Sequence, residues 1–266
     1  MNTKPKSRNN PAALLLLILV PVLAIIVYTK FLRGDSGLAE EKAAAQALKE
    51  RKIDGRAAYL VITEPPDGKV TSVNFLGHPV DDETMKLVGK LFRISALNAD
   101  KCKITDDQLK HLAGLVGMSS LVLSDTPITN KGLEHLKPLV GIEALHLSGT
   151  KISDAGLDHL AAMPNLKILN ISNTLVTDAG MRILLPLAGL KWLLISDTAV
   201  TDSGLESLAG LSNLGRLTVT GAKVSPEGIE KLKKANPKLS VDYAPPEDEE
   251  EKTDPPAEPE QTDVGE

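Results

Sequence analysis

Three histidines, His111, His135 and His159, stand 24 residues apart. Imidazoles stacked at a fixed interval can hold a metal through their ring nitrogens, or change charge near neutral pH. Yet Ile183 and Ser207 break the series at its next two places, and no column of Cys or carboxylate completes a ligand set. A helix position copied with its repeat explains the three more simply. Asp106, Asp154, Asp178 and Asp202 follow the same spacing, each directly after Ser or Thr. They read as first-turn residues of short helices, where a carboxylate suits the helix dipole, and not as acid–base pairs. Cys102 is the one cysteine, so it has no disulfide partner within the chain. No glycine-rich phosphate loop follows a strand, no nucleophilic triad assembles, and no basic stripe interleaved with aromatics suggests nucleic acid. The chemistry points away from catalysis, cofactors, nucleic acid and a small-molecule substrate, and toward binding.

The elements that position these residues form a strict repeat. Leu97, Leu121, Leu145, Leu169, Leu193 and Leu217 share the 24-residue interval, and Val73 and Val241 extend it at both ends. A period of this length, copied this often without a gap, specifies a solenoid. Within one unit Leu145 and Leu147 alternate with His146 and Ser148, the pattern of a half-buried strand. From Asp154 the apolar spacing becomes three, through Leu157, Leu160, Met163 and Leu166, closer to a helix on the outer side. Thr105, Thr129, Ser153, Thr177, Thr201 and Ser225 stand at the switch as N-caps, and Pro226 fits the first helical position of the last copy. Gly132, Gly156, Gly180, Gly204 and Gly228 recur inside the helices, where glycine is costly, so close approach of neighbouring coils is expected. The column His78, Cys102, Thr126, Thr150, Thr174, Thr198 and Ala222 faces inward, its hydroxyls serving backbone groups of the turn.

On these residues the chain resembles the leucine-rich repeat family in its cysteine-containing variety. Cys102-Lys103-Ile104-Thr105-Asp106 and Thr150-Lys151-Ile152-Ser153-Asp154 carry the likeness, with Thr in place of Cys in most copies and one residue fewer before Ile. The resemblance covers residues 72 to 243. It implies an α/β solenoid, a curved right-handed coil of parallel strands with short helices outside. It also implies a concave strand face able to bind another protein. On that face most residues are small or polar. Ile168, Trp192, Leu194 and Arg216 form a cluster, with His146 and Asn170 beside it. Exposed Trp and Arg are enriched among residues that dominate protein interfaces. Packing of the cluster against the chain itself is the competing reading.

The ends differ from the repeats. Residues 1–10 form a basic tail, and Ala12 to Thr29 contains no charge. The segment 11–32 is long enough to cross a bilayer, with a kink at Pro21. A cleaved signal peptide is the rival, but Gly37-Leu38-Ala39 is a late and poor cleavage site. A retained single-pass anchor with the repeats on the extracytoplasmic side is expected, although Lys30, Arg33 and Lys42 nearly balance the leading Lys4, Lys6 and Arg8. Residues 33–71 are expected to cap the first coil, with a helix over Leu38 to Lys52, a strand over Ala58 to Thr63 and a turn at Pro65-Pro66-Asp67-Gly68. Residues 244–266 are acidic and rich in Pro, a composition expected to stay unfolded. The expected function is a membrane-anchored repeat protein that binds an unidentified protein partner at the cell envelope. Alternatives are an adaptor or substrate-recognition subunit of the ubiquitin-ligase kind, or a histidine-dependent metal enzyme.

Overall fold

The computed structural model describes residues 34–53, 56–57, 61–63, 70–75 and 77–244. The anchor segment, the Pro65-Pro66-Asp67-Gly68 turn and the acidic segment from Pro245 lie outside the described residues.

Eight three-residue strands stack in parallel and in strict register. They are β4 (Ser72–Asn74), β5 (Ala96–Asn98), β6 (Ser120–Val122), β7 (Ala144–His146), β8 (Ile168–Asn170), β9 (Trp192–Leu194), β10 (Arg216–Thr218) and β11 (Ser240–Asp242). Val73 pairs with Leu97, Leu97 with Leu121, and so on to Val241. The central residue of each strand points inward, and Leu97 through Leu217 are at most 1% exposed. The next inward positions, among them Leu123, Leu147, Ile171 and Ile195, are fully buried as well. Stacked aliphatic side chains fill this interior, and Phe75 is the one aromatic among the buried core residues described.

The returning segments are short helices stacked on one another. They are α2 (Asp82–Val88), a 3-10 helix at Asp106–Leu112, α3 (Asn130–Glu134), α4 (Asp154–Leu157), α5 (Asp178–Ile183), α6 (Asp202–Leu208) and α7 (Pro226–Ala235). Only Asp106–Leu112 is 3-10, and the six α-helices run from four to ten residues. Every expected cap position is an N-cap in extended conformation. Ser153 differs in making no cap bond with its own side chain.

The aspartate column does more than face a helix dipole. Asp178 accepts hydrogen bonds from the backbone N–H of Thr201 at 2.7 Å and from its hydroxyl at 2.7 Å. Asp106, Asp154 and Asp202 hold Thr129, Thr177 and Ser225 in the same way. Asn130 replaces the carboxylate at one junction, accepting from Ser153 N–H and donating to its hydroxyl. Each clamp therefore joins one coil to the cap of the next. The glycine column makes room for it. A Cβ on Gly204 would lie 2.5 Å from Asp178 Oδ1, and one on Gly180 2.4 Å from Asp154 Oδ1. At the first junction Gln108 stands where the others have Gly. Its amide donates to Val80 O, and Asp82 turns instead to Lys86 and His111. Those two contacts, Lys86 first, pull the Asp82 carboxyl down to about 2.

The inward hydroxyl column is satisfied as expected. Thr126, Thr150, Thr174 and Thr198 each donate to the carbonyl three residues earlier, at 2.6 to 2.7 Å. Cys102 occupies the same place, buried, its Sγ 3.5 Å from Asp100 O. Burial is the main cause that pushes its thiol up to about 11, so no thiolate forms at neutral pH.

The N-terminal cap differs in its limits from the sequence reading. The helix α1 runs Gly34–Glu50, and Lys52–Ile53 (β1) pairs antiparallel with Arg56–Ala57 (β2). Directly after the helix, the Arg51 guanidinium reaches the first coil and bonds Asp81 and the Thr84 hydroxyl. Of the expected strand, Val61–Thr63 (β3) pairs antiparallel with β4 and closes that edge of the sheet. Residues 58–60 lie outside the described residues.

Candidate protein-binding face

Parallel register places the six candidate residues in two adjoining columns on the outward side of the strands. Ile168, Trp192 and Arg216 follow one another across β8, β9 and β10. His146, Asn170 and Leu194 do the same across β7, β8 and β9, one step along the strand. Neighbouring parallel strands stand about 4.8 Å apart, so the six share one compact patch. Arg216 is exposed and the other five are partly buried, as residues alternating with core positions must be.

The patch is held from the side of the terminal strand. The Arg216 guanidinium lies 4.8 Å from the centre of the Trp192 ring, a cation–π stack. Arg216 Nε donates to Asp242 Oδ2 at 2.8 Å, and the Thr218 hydroxyl donates to the same oxygen at 3.4 Å. Trp192 Nε1 donates to Thr218 Oγ1 at 3.4 Å. Trp192 thus packs in part on its own chain. Asp242 and Thr218 orient the cluster and were not singled out from sequence. The 24-residue column that ends at Thr218 would have reached Asp242 by one more step.

The remaining outward residues are quieter. Asn170 Oδ1 accepts from Ser172 N–H at 3.0 Å, and the Ser172 and Ser196 hydroxyls accept from the next coil's Ser196 and Thr220 N–H. The serine column therefore braces the sheet edge. His146, half-buried between Val122 and Asn170, is lowered in pKa by burial and is neutral at neutral pH.

The outer histidines gather no ligand set. His111 is engaged by Asp82 at 2.8 Å, and His159 is lowered mainly by burial. Among the described residues no group of three or more His, Cys, Asp or Glu lies where it could hold a metal ion. Nor is any described helix long and apolar enough to cross a membrane.

Comparison with known proteins places the repeat. A family model described as Leucine Rich repeat matches residues 142–161, which run from the end of one coil through β7 and α4. No curated protein matches the chain in sequence. Solved structures resemble it at low identity. A leucine-rich repeat protein of Leptospira interrogans is 23% identical with a TM-score of 0.48, over 59% of this chain and 38% of that one. An internalin of Listeria monocytogenes is 18% identical with a TM-score of 0.45, over 59% and 49%. Internalin C2 of the same organism is 20% identical with a TM-score of 0.49, over 77% and 92%. The chain thus spans about two fifths and one half of the first two.

Proposed function

We propose that this chain, built of leucine-rich repeats, is a protein-binding module tethered to a membrane by residues 11–32. Its repeats face the extracytoplasmic side, and its partner docks on the outward strand face around Trp192. The observation that carries the reading is the Trp192 cluster itself. Small or polar side chains hold the corresponding places on β4 to β7, namely Ser72, Ala96, Ser120 and Ala144. Ile168 and Trp192 instead, with Leu194 beside them, put apolar area next to a guanidinium already fixed by Asp242. A pre-oriented aromatic with a polar rim binds with little loss of side-chain freedom.

The anchor is supported by the uncharged run from Ala12 to Thr29. Deleting residues 1–33 should give soluble, folded protein, because α1 and the coils it caps all lie within residues 34–244. Full-length chain recovered from the soluble fraction with a cut near Ala39 would show a cleaved leader instead. Partner capture from solubilised membranes, with the parent chain and with Trp192→Ala, tests the binding face. A central aromatic contributes a few kcal/mol, so capture should fall at least tenfold. Equal capture by both would reject the assignment, and His135→Ala on the helical side should leave capture intact.

A further inference from the structure

The backbone ladder of the sheet runs on past both ends of the short strands. Before them, Lys167 N–H donates to Glu143 O, Lys191 N–H to Lys167 O and Gly215 N–H to Lys191 O. After them, Asp125 N–H donates to Ser148 O, Asn173 N–H to Ser196 O and Asp197 N–H to Thr220 O. Two further columns therefore border the outward face, one along the strand starts and one along the strand ends. Glu143, Lys167, Lys191 and Gly215 follow one another in the first. Asp125, Gly149, Asn173 and Asp197 follow one another in the second.

Among the described coils, only that of β9 sets a base on one border and an acid on the other. Its line reads Lys191, Trp192, Leu194, Ser196, Asp197, and both ends are exposed. The nearest other charges are already paired, Lys167 with Glu143 and Arg216 with Asp242, each at 2.8 Å. Lys191 and Asp197 have no ion-pair partner among the described residues. The indole N–H is engaged by Thr218 and the ring by Arg216, so the middle of the line offers mainly apolar area. Asp197 is set by its backbone. Its φ of 54° is left-handed, which Asp tolerates, and its Oδ1 lies over Gly221, where there is no room for a Cβ. The span from Lys191 to Asp197 is about 20 Å of extended chain, and outward residues two apart stand about 7 Å from one another. An extended segment laid along β9 meets those intervals with its own alternate side chains.

We propose that the partner presents such an extended segment, ordered acid, apolar, base from Lys191 to Asp197. Its acid meets the Lys191 ammonium, its apolar side chains cover Trp192 and Leu194, and its base meets the Asp197 carboxylate. The proposal gives the partner's chemistry and rests on the binding face proposed above. A polyanion fits less well, because its charge would continue onto Asp197.

Trp192 is the one tryptophan of the chain, so its emission in the full-length, detergent-solubilised protein reads binding at the line itself. Three end-blocked peptides without tryptophan share an alternating Val-Thr centre. They differ only in their end residues, which are Glu and Lys, Glu and Glu, or Lys and Lys. The Glu–Lys peptide should bind about fivefold more tightly than either like-charged one. Lys191→Glu should turn the preference to the Lys–Lys peptide. Lys191→Glu/Asp197→Lys should restore the Glu–Lys peptide, now lying in the opposite direction. Both places accept the reversed charge, since Glu143 and Lys101 hold the same columns in other coils. Equal affinity for the three peptides would reject the charge order and leave the cluster as an apolar grip. A preference unchanged in Lys191→Glu would place its source elsewhere and overturn the proposal. A parent preference for the Glu–Glu peptide would mark a polyanion site and overturn it too. So would emission unmoved by all three peptides, while loss of partner capture in Trp192→Ala would still uphold the binding face.

Discussion

Trp192 and His146 show how much a single side chain's behaviour depends on the strands beside it. Arg216, Asp242 and Thr218 fix the indole before any partner arrives, so its ordering is largely complete in the free protein. His146 lies half-buried with burial as the cause of its lowered pKa. A histidine whose folded pKa is lowered binds fewer protons folded than unfolded. Its contribution to stability is complete above the ordinary value near 6.5 and is lost as pH falls through the folded value. His159 shifts in the same direction. Urea midpoints measured at pH 7.5 and pH 5 should therefore fall on acidification. In His146→Gln that fall should be smaller, with the part due to His159 remaining. An identical fall in parent and variant would show that His146 titrates as a solvated group.

At the scale of the element, the coil-to-coil clamp explains three sequence columns at once. Asp, the Ser or Thr that follows in the next coil, and Gly are a single device repeated along the stack. The carboxylate bonds the cap, and the absent Cβ admits the carboxylate. Gly204→Ala should lose about 1–3 kcal/mol, since its methyl would sit 2.5 Å from Asp178 Oδ1 and 2.7 Å from Val200 Cγ1. Asp178→Ala strips the acceptor from Thr201 N–H and should cost a similar amount. Asp178→Asn should cost less, because Asn130 already performs the role at another junction. The double variant Asp178→Ala/Gly204→Ala should lose less than the sum, as the smaller residue frees the space the new methyl needs. Strict additivity in chemical denaturation would mean that the two columns act independently.

For the whole molecule, stability is a chain of neighbour contacts. Each coil buries its leucine between the coils on either side, and none has a core of its own. Leu169 pairs in register with Leu145 and Leu193 and is fully buried. A carboxylate there has no partner and costs several kcal/mol. Leu169→Asp should unfold the coils on both sides of β8 together, lowering the melting temperature and the far-ultraviolet signal of more than one repeat. An unchanged melt would place Leu169 at the surface and refute the register. The two ends are closed differently. β3 pairs with β4 at the first edge, and α1 is drawn to the first coil by Arg51 with Asp81 and Lys90 with Glu40. At the other edge β11 is the last strand of the described sheet, with Tyr243 donating its hydroxyl to Val224 O.

The sequence by itself determined the coil, because a 24-residue period leaves one way to bury Leu97 through Leu217: strands in parallel register with the returns outside. It determined the caps, the inward threonines and the need for glycine, since each is a demand of local backbone chemistry that a column of one residue type makes visible. It also brought together the six candidate face residues, for register follows from the period. Only the tertiary structure decided what lies between coils. Asp178 and Thr201 are 23 residues apart, and nothing local in either says that one bonds the other. The hold of Asp242 on Arg216 and the diversion of Asp82 to His111 where Gln108 replaces glycine belong to the same class. Periodicity states which residues share a column. Which column touches which depends on the lateral fit of one coil against the next, and that distance is set by packing.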